Sequence, residues 1–306
     1  MPKPPAMGPL EWALLLLLSV LWGGAFFFSK LALHELPPFT VVLARVAIAA
    51  LALALYLVAT GRALPAGRAA WSAFLGMGLL NNLVPFSLIF WGQTQIASGL
   101  ASILNATTPI FSIVIAHALT EDETLTAHRL AGIGLGIAGV ALLMAGRVAA
   151  ADGPPLLPML ACLGAACSYG FASVYGRRFR RMGLMPVSVA FGQTAATTLM
   201  ILPVVLAVDA PWRLAVPSAT VMLALGGLAL LSTALAYILF FRILAVGGAI
   251  NASLVTLLIP VSAILLGGLV LGERLGANHF AGMGLIALGL LAIDGRALRV
   301  LGRKAA

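Results

Sequence analysis

Asn81 and Asn82 stand one turn before Pro85-Phe86 in an otherwise apolar stretch, and Asn105, Thr108 and Ser112 follow a spacing of three and four that places them on one helix face. The second half of the chain repeats the pattern: Ser232, Thr233 and Tyr237 interrupt one apolar run, and Ser253 and Thr256 the next. Trp22, Phe26 and Lys30 lie at intervals of four, and Tyr169, Ser173 and Arg177 recur at the same spacing. Amides and hydroxyls beside aromatic rings do not by themselves cleave bonds. They hydrogen-bond and stack, so the chemistry they suggest is the binding of a planar or zwitterionic solute by Trp22, Asn81, Asn82, Phe86, Asn105, Tyr169, Tyr237 and Thr256. Each also has a plainer reading as packing or as a hydrogen bond between neighbouring helices.

Arg45 falls several residues inside a second apolar run, where it suits either an anionic group or a brace on a neighbouring carbonyl. Lys30 and Arg177 either face a solute or reach the headgroup region on their long stems. Pro109 and Pro260 fall at corresponding places and remove a helical hydrogen bond each, as hinges or as fixed kinks.

Catalytic constellations are missing from the text. There is no H-E-x-x-H, G-x-S-x-G or Walker A sequence, and His34, His117, His128 and His279 all fall near the ends of apolar runs. Gly134-x-Gly136-x-x-Gly139 matches a dinucleotide fingerprint in letters only, because no strand precedes it; close helix packing explains it. Cys162 and Cys167, five apart in one apolar run, fit neither a disulfide nor a metal site. The expectation is a protein without enzymatic activity, cofactor or metal.

The elements that must position these residues follow from composition. Of 306 residues 62% are hydrophobic and 9% charged, with a mean hydropathy of +1.10, whereas soluble domains carry about 25% charged residues. Apolar runs near the length needed to cross a hydrocarbon core recur throughout. They predict ten helices, near 10–31, 39–60, 71–91, 97–119, 128–146, 156–178, 186–208, 219–242, 249–272 and 277–294. The first is expected to be a spanning helix and not a cleaved leader, since it holds Glu11 and lacks a small-residue cleavage site. The breaks include Pro37-Pro38, Gly153-Pro154-Pro155 and Pro211 to Pro217.

Net charge is +9, but Lys and Arg lie between apolar runs and form no stripe for nucleic acid. With ten helices, one side collects most of them, Arg177, Arg178, Arg180 and Arg181 included; the other holds only Lys30, Arg147, Arg213 and Arg274. Both termini are therefore expected in the cytoplasm, with the acidic Glu121-Asp122-Glu123 loop on the same side, in a multi-pass protein of the inner (cytoplasmic) membrane. All nine carboxylates fall at helix ends or in loops, which leaves no mid-membrane acid as an obvious proton relay.

The two halves resemble each other. Trp22-Gly23 aligns with Tyr169-Gly170, Lys30 with Arg177, Pro38 with Pro186, Arg45 with Gln193, Pro109 with Pro260, Glu123 with Glu273 and Gly132 with Gly282. The division falls at 1–150 and 151–306. Five helices per repeat is an odd number, so the second repeat enters the membrane from the opposite side. Inverted pairs of this kind recur in secondary transporters, with a midplane site between repeats and alternating access.

In sequence the chain resembles the drug/metabolite transporter superfamily, and within it the ten-helix carriers with two EamA-type repeats. The resemblance is carried by Trp22-Gly23, by Pro38 through Arg45, and by Ala101-Ser102 with Pro109. It continues through Glu123, Gly132 and Gly139-Val140-Ala141-Leu142-Leu143, and is restated by Ala252-Ser253, Pro260, Glu273 and Gly282. It implies an all-α membrane fold and an exporter or permease of small metabolites such as amino acids, near an aromatic amino-acid exporter subgroup. A channel-like facilitator is the alternative, and an intramembrane enzyme a remoter one. The expected partners are a small-molecule substrate and the lipid bilayer, with no nucleic acid. The glycine faces of the fifth and tenth helices suit either a homodimer seam or the monomer's own core.

Overall fold

The computed structural model describes residues 8–120, 126–148, 155–252 and 255–294, and every regular element among them is a helix. Some of the residues singled out in the sequence, namely Ser253, Glu121-Asp122-Glu123, Gly153-Pro154 and those of both termini, lie outside the described residues. The first half contains α1 (Pro9–Ala32), α2 (Pro38–Ala59), α3 (Arg68–Gln93), α4 (Ser98–Leu119) and α5 (Ala127–Val148). The second contains α6 (Leu156–Arg181), α7 (Pro186–Asp209) and α8, built from Ala219–Gly226, Gly227–Leu235 and Ala236–Ala252. It ends with α9 (Val255–Val270) and α10 (Ala277–Asp294).

Eight of these helices are long and apolar enough to cross a membrane, and Val255–Val270 and Ala277–Ile293 are shorter apolar helices. Leu16, Leu55, Leu199, Leu223 and Leu269 are exposed, as expected for a bundle whose outer surface meets hydrocarbon. Pro38 and Pro186 open α2 and α7, where a missing N–H costs nothing and a fixed φ favours the first turn.

One boundary differs from expectation. The break placed between 242 and 249 is absent: helix continues from Ala236 to Ala252, and the next described helix starts at Val255. Arg242 reads as a loop residue because of its charge, yet it is exposed and can direct its head outward from a helix. Gly247-Gly248 weakens a helix by about 1 kcal/mol per glycine without breaking it.

The packing interleaves the halves. α1 lies against α8 and α9, while α6 lies against α3 and α4. The first helix of each half thus completes a three-helix group with the third and fourth helices of the other half. α2 pairs with α7 and also touches α8, and α7 touches α3. α1 approaches α9 closely at Gly23, where a Cβ would run into the Ser262 hydroxyl and the α9 backbone; Ser262 Oγ donates to Ser19 O across this seam at 2.7 Å. α5 and α10 pair through their glycine faces: a Cβ on Gly139 would stand 2.7 Å from Gly282 O, and one on Gly289 would stand 2.6 Å from Gly132 O.

Candidate functional site

Three helices leave α-geometry: α7 does so at its end, Val205–Asp209, and two others do so in their interiors, where their polar residues sit. Leu79–Leu83 in α3 and Gly227–Leu235 in α8 are π-helical. In α3, Pro85 offers no N–H to the preceding turn, and Val84 N–H reaches Leu79 O, five residues back. The widened turn carries Asn81 and Asn82; that of α8 carries Ser232 and Thr233. π-segments inside α-helices are frequent at functional sites.

These turns meet α2 and α7. Asn81 Nδ2 donates to Gln193 Oε1 at 3.0 Å and to the Tyr237 hydroxyl at 3.3 Å. The Tyr237 hydroxyl donates to Asn82 Oδ1 at 3.2 Å, and Asn82 Nδ2 donates to Thr197 Oγ1 at 3.3 Å. Thr197 passes its own hydrogen to backbone carbonyls, Gln193 O at 2.7 Å or Gly78 O at 3.1 Å. On the other side Arg45 Nε donates to Thr233 Oγ1 at 2.9 Å, and Thr233 donates onward to Leu228 O at 2.8 Å. Arg45 is buried, with its guanidinium 3.7 Å from the centre of the Phe86 ring. Stacking of this kind offsets part of the cost of a desolvated cation.

An aromatic wall continues from here. Trp22 is half-buried with its ring 5.3 Å from Phe240, which stands 5.5 Å from Phe241; Phe241 in turn lies 6.2 Å from Tyr237. Phe86 stacks on Phe90 at 6.1 Å. Tyr169, half-buried on α6, and Tyr237 both lie within electrostatic reach of Arg45. Asn105 ends the first segment of α4, and its Oδ1 is buried without a hydrogen-bond partner, as are Ser87 Oγ and Ser232 Oγ. Thr256 is half-buried near the start of α9.

The paired prolines are not alike. α4 breaks at Ala106-Thr107 and restarts at Thr108 with Pro109 in its first turn, and Thr108 Oγ1 donates to the Asn105 carbonyl at 2.7 Å. Pro260 instead lies inside an unbroken helix.

Lys30 stands apart from this cluster. Its Nζ donates to Gln93 O at 2.5 Å and Ile96 O at 3.0 Å, which caps the last carbonyls of α3. Ser29 Oγ donates to Gln93 Oε1 at 2.6 Å beside it. The same end of the bundle is tied by carboxylates that accept from helix N-termini. Glu273 takes Ser98 N and Ser98 Oγ, each at 2.8 Å, and Gly99 N at 3.2 Å; Asp209 takes Thr40 N and Thr40 Oγ1, both at 2.7 Å. Glu35 takes Ser218 N at 2.7 Å, and the hydrogen bonds from the Ser218 side chain and backbone hold its carboxyl below the ordinary value. Negative charge at a helix N-terminus is favourable, which suits acids placed at helix ends and in loops beside such termini.

Sequence reading passed over Gln193 as a site residue, although it aligns with Arg45, and passed over Thr197, Gln93 and Ser98 entirely. A buried Gln in an apolar run was the available signal for Gln193 and Gln93. Nothing in the sequence singles out Thr197 or Ser98.

An all-helical bundle with eight membrane-length helices, two shorter apolar ones and a polar, aromatic-lined centre belongs to the class of multi-pass membrane transporters. The chain is a member of the EamA-like transporter family, which matches residues 10–145 and again 156–293. It is 26% identical over 275 residues to the "Uncharacterized transporter YoaV" of Bacillus subtilis (strain 168), covering 89% of this chain and 92% of that one. It is 27% identical to the "Uncharacterized inner membrane transporter YedA" of Escherichia coli (strain K12), over 90% and 88% of the two chains. To the "Probable amino-acid metabolite efflux pump" of the same strain it is 27% identical over 288 residues, 92% and 93% of the chains. A solved crystal structure shares the fold with a TM-score of 0.68 at 20% identity, over 94% of this chain and 97% of that one.

Proposed function

We propose that this protein is a secondary carrier of amino-acid-type metabolites, an exporter or permease working by alternating access in the inner membrane. In this reading all ten helices span the bilayer as two inverted five-helix repeats, 1–150 and 151–306, with both termini in the cytoplasm. The observation that carries it is a pair of matched links between the halves. Arg45 of α2 bonds Thr233 in the π-turn of α8, and Gln193 of α7 accepts from Asn81 in the π-turn of α3. Arg45 corresponds to Gln193 in the repeat alignment, and Asn82, beside Asn81, corresponds to Thr233. Each link therefore joins the second helix of one repeat to the third of the other. A solute held there touches both repeats, which is the arrangement that lets one bundle rock against the other around a fixed site. The restart of α4 at Pro109 supplies a place for that motion to hinge.

The test is uptake of a labelled amino-acid panel into proteoliposomes. Saturable flux is expected, with Asn82→Ala raising KM or lowering the maximal rate while the protein stays folded. Flux proportional to concentration without saturation favours a channel-like facilitator and overturns the carrier.

A further inference from the structure

We infer that Arg45 is the recognition point for a carboxylate on the transported solute, so that the substrates are small organic carboxylates, amino acids among them, and their neutral amides are poorly bound. This rests on the carrier reading above and names the chemistry of its site.

Arg45 lies seven residues beyond Pro38, about 10 Å along α2 at 1.5 Å per residue, and is 8% exposed. Its Nε is engaged by Thr233 Oγ1, whose own hydrogen goes to Leu228 O. One face of the guanidinium plane is covered by Phe86. The hydrogen bond that Arg45 makes among the described residues runs through Nε, and among those residues the edge formed by its two terminal nitrogens meets no acceptor. A cation at this depth is costly unless it is paired.

Among the described residues no carboxylate bears on Arg45, and four carboxylates are engaged elsewhere. Glu35, Asp209 and Glu273 each accept from a helix N-terminus at the end of the bundle, and Glu11 accepts from Gly8 N–H. The charged or titratable groups that bear on Arg45 are Tyr169 and Tyr237, both phenols. The Tyr237 hydroxyl is already used, accepting from Asn81 and donating to Asn82. Gln193, the counterpart of Arg45, is neutral and its amide oxygen is taken by Asn81. Among the described residues the site therefore has one cationic pole, with its two-nitrogen edge open. That edge matches the two oxygens of a carboxylate in geometry and charge, whereas an amide offers one weaker acceptor and opposes its own N–H groups to the fork.

The experiment is binding to the purified full chain, by calorimetry in detergent, of amino acids and simple monocarboxylates, each paired with its primary amide. Proteoliposome uptake of the same pairs runs in parallel. The unaltered protein is expected to bind at least one acid tenfold or more tighter than its amide. Arg45→Gln should weaken that acid at least about thirtyfold, as removal of one partner of a buried charge pair does, and leave the amide within a few-fold. Arg45→Lys, which keeps the charge and loses the fork, should fall between. The acid-versus-amide comparison needs no variant, so it decides even if Arg45→Gln does not fold. Equal binding of acid and amide, absence of binding by every acid, or full acid affinity in folded Arg45→Gln overturns the assignment. Acid-selective binding with no flux keeps the assignment and removes the carrier; saturable flux confined to uncharged solutes does the reverse.

Discussion

Replacing Glu273 by Ala should loosen the end of the bundle at which α4 begins. Glu273 satisfies two backbone donors of the first turn of α4, Ser98 N and Gly99 N, together with Ser98 Oγ. Ser98 is fully buried, so water cannot readily replace the carboxylate there. The N-cap residue Ala97 has no side-chain oxygen to substitute for it. A buried donor left unmade costs about 1–3 kcal/mol. The loss of charge at the helix N-terminus adds about 0.3–1 kcal/mol. With Gly99 N–H partly recovered by relaxation, the expected loss for Glu273→Ala is about 2–4 kcal/mol, and about half of that for Glu273→Gln, which keeps one oxygen.

The assay is reversible denaturation of the purified protein in one detergent, comparing native Glu273, Gln and Ala. The decisive variant adds Ala97→Asp to Glu273→Ala, because an Asp N-cap supplies an acceptor from α4 itself and should recover about 1 kcal/mol. Helix capping would then be restored while the tie from the α9–α10 loop stays cut. A folded Glu273→Ala protein as stable as the native one refutes the reasoning, and so does a double variant that recovers nothing. Stability regained without flux would assign the tie, and not the cap alone, to the transport cycle.

Other consequences can be measured on the same preparation. A double-mutant cycle of Asn81→Ala with Gln193→Ala should give a coupling near 0.6 kcal/mol and no more than about 1.7, the range found for hydrogen bonds between membrane helices; zero coupling would mean that the 3.0 Å contact contributes nothing. Gly139→Val should destabilise the α5–α10 pair by about 1–3 kcal/mol or more, since even a Cβ there lies 2.7 Å from Gly282 O and 2.8 Å from Ile286 Cγ1. The outward-facing Gly134, with nothing within 4 Å of a Cβ, should accept Ala without loss of melting temperature. Glu35 has a lowered pKa, so its contribution is present above the ordinary value of 4.5 and is lost as pH falls through the folded-state value. The melting difference between native protein and Glu35→Gln should therefore be present at pH 7 and shrink as pH falls below 4.5; a difference independent of pH would contradict the assignment.

The fold was largely legible because lipid makes helix the economical solution for each apolar run, and Pro37-Pro38 and Pro186 mark starts that steric rules enforce. The missed boundary near Arg242 shows the limit of that logic: charge marks where a side chain reaches water, not where a helix ends. The glycine faces of α5 and α10 were legible as close packing, but their partner was not, since the same spacing suits a second copy or a neighbouring helix. At the site, type and depth drew attention to Asn81, Asn82, Tyr237 and Arg45. Lys30 was drawn in for the same reason, and the structure places it on the carbonyl end of α3 instead. Thr197 and Ser98 were invisible because hydroxyls in apolar helices usually bond their own backbone, as Thr194 does with Ala190 O.

What no periodicity could reveal is the change of helical register at the two polar turns. In a regular α-helix, adjacent Asn81 and Asn82 would point about 100° apart, and one would face away from α7. The π-turn at Leu79–Leu83 holds more residues per turn and narrows that angle, and both amides end on α7 or α8 partners, one through Gln193 and Tyr237, the other through Thr197 and Tyr237. The longer π-segment of α8 similarly presents Thr233 to Arg45 while Ser232 Oγ stays buried without a partner. A π-turn gives up regular i→i+4 bonding and persists where the surroundings repay the distortion. Here the return is a set of side-chain bonds that all cross between α2, α3, α7 and α8. Those bonds are weak singly, and Asn81 Nδ2 and the Tyr237 hydroxyl each take part in two of them, so on the carrier reading a solute that engages either group exchanges more than one bond at once.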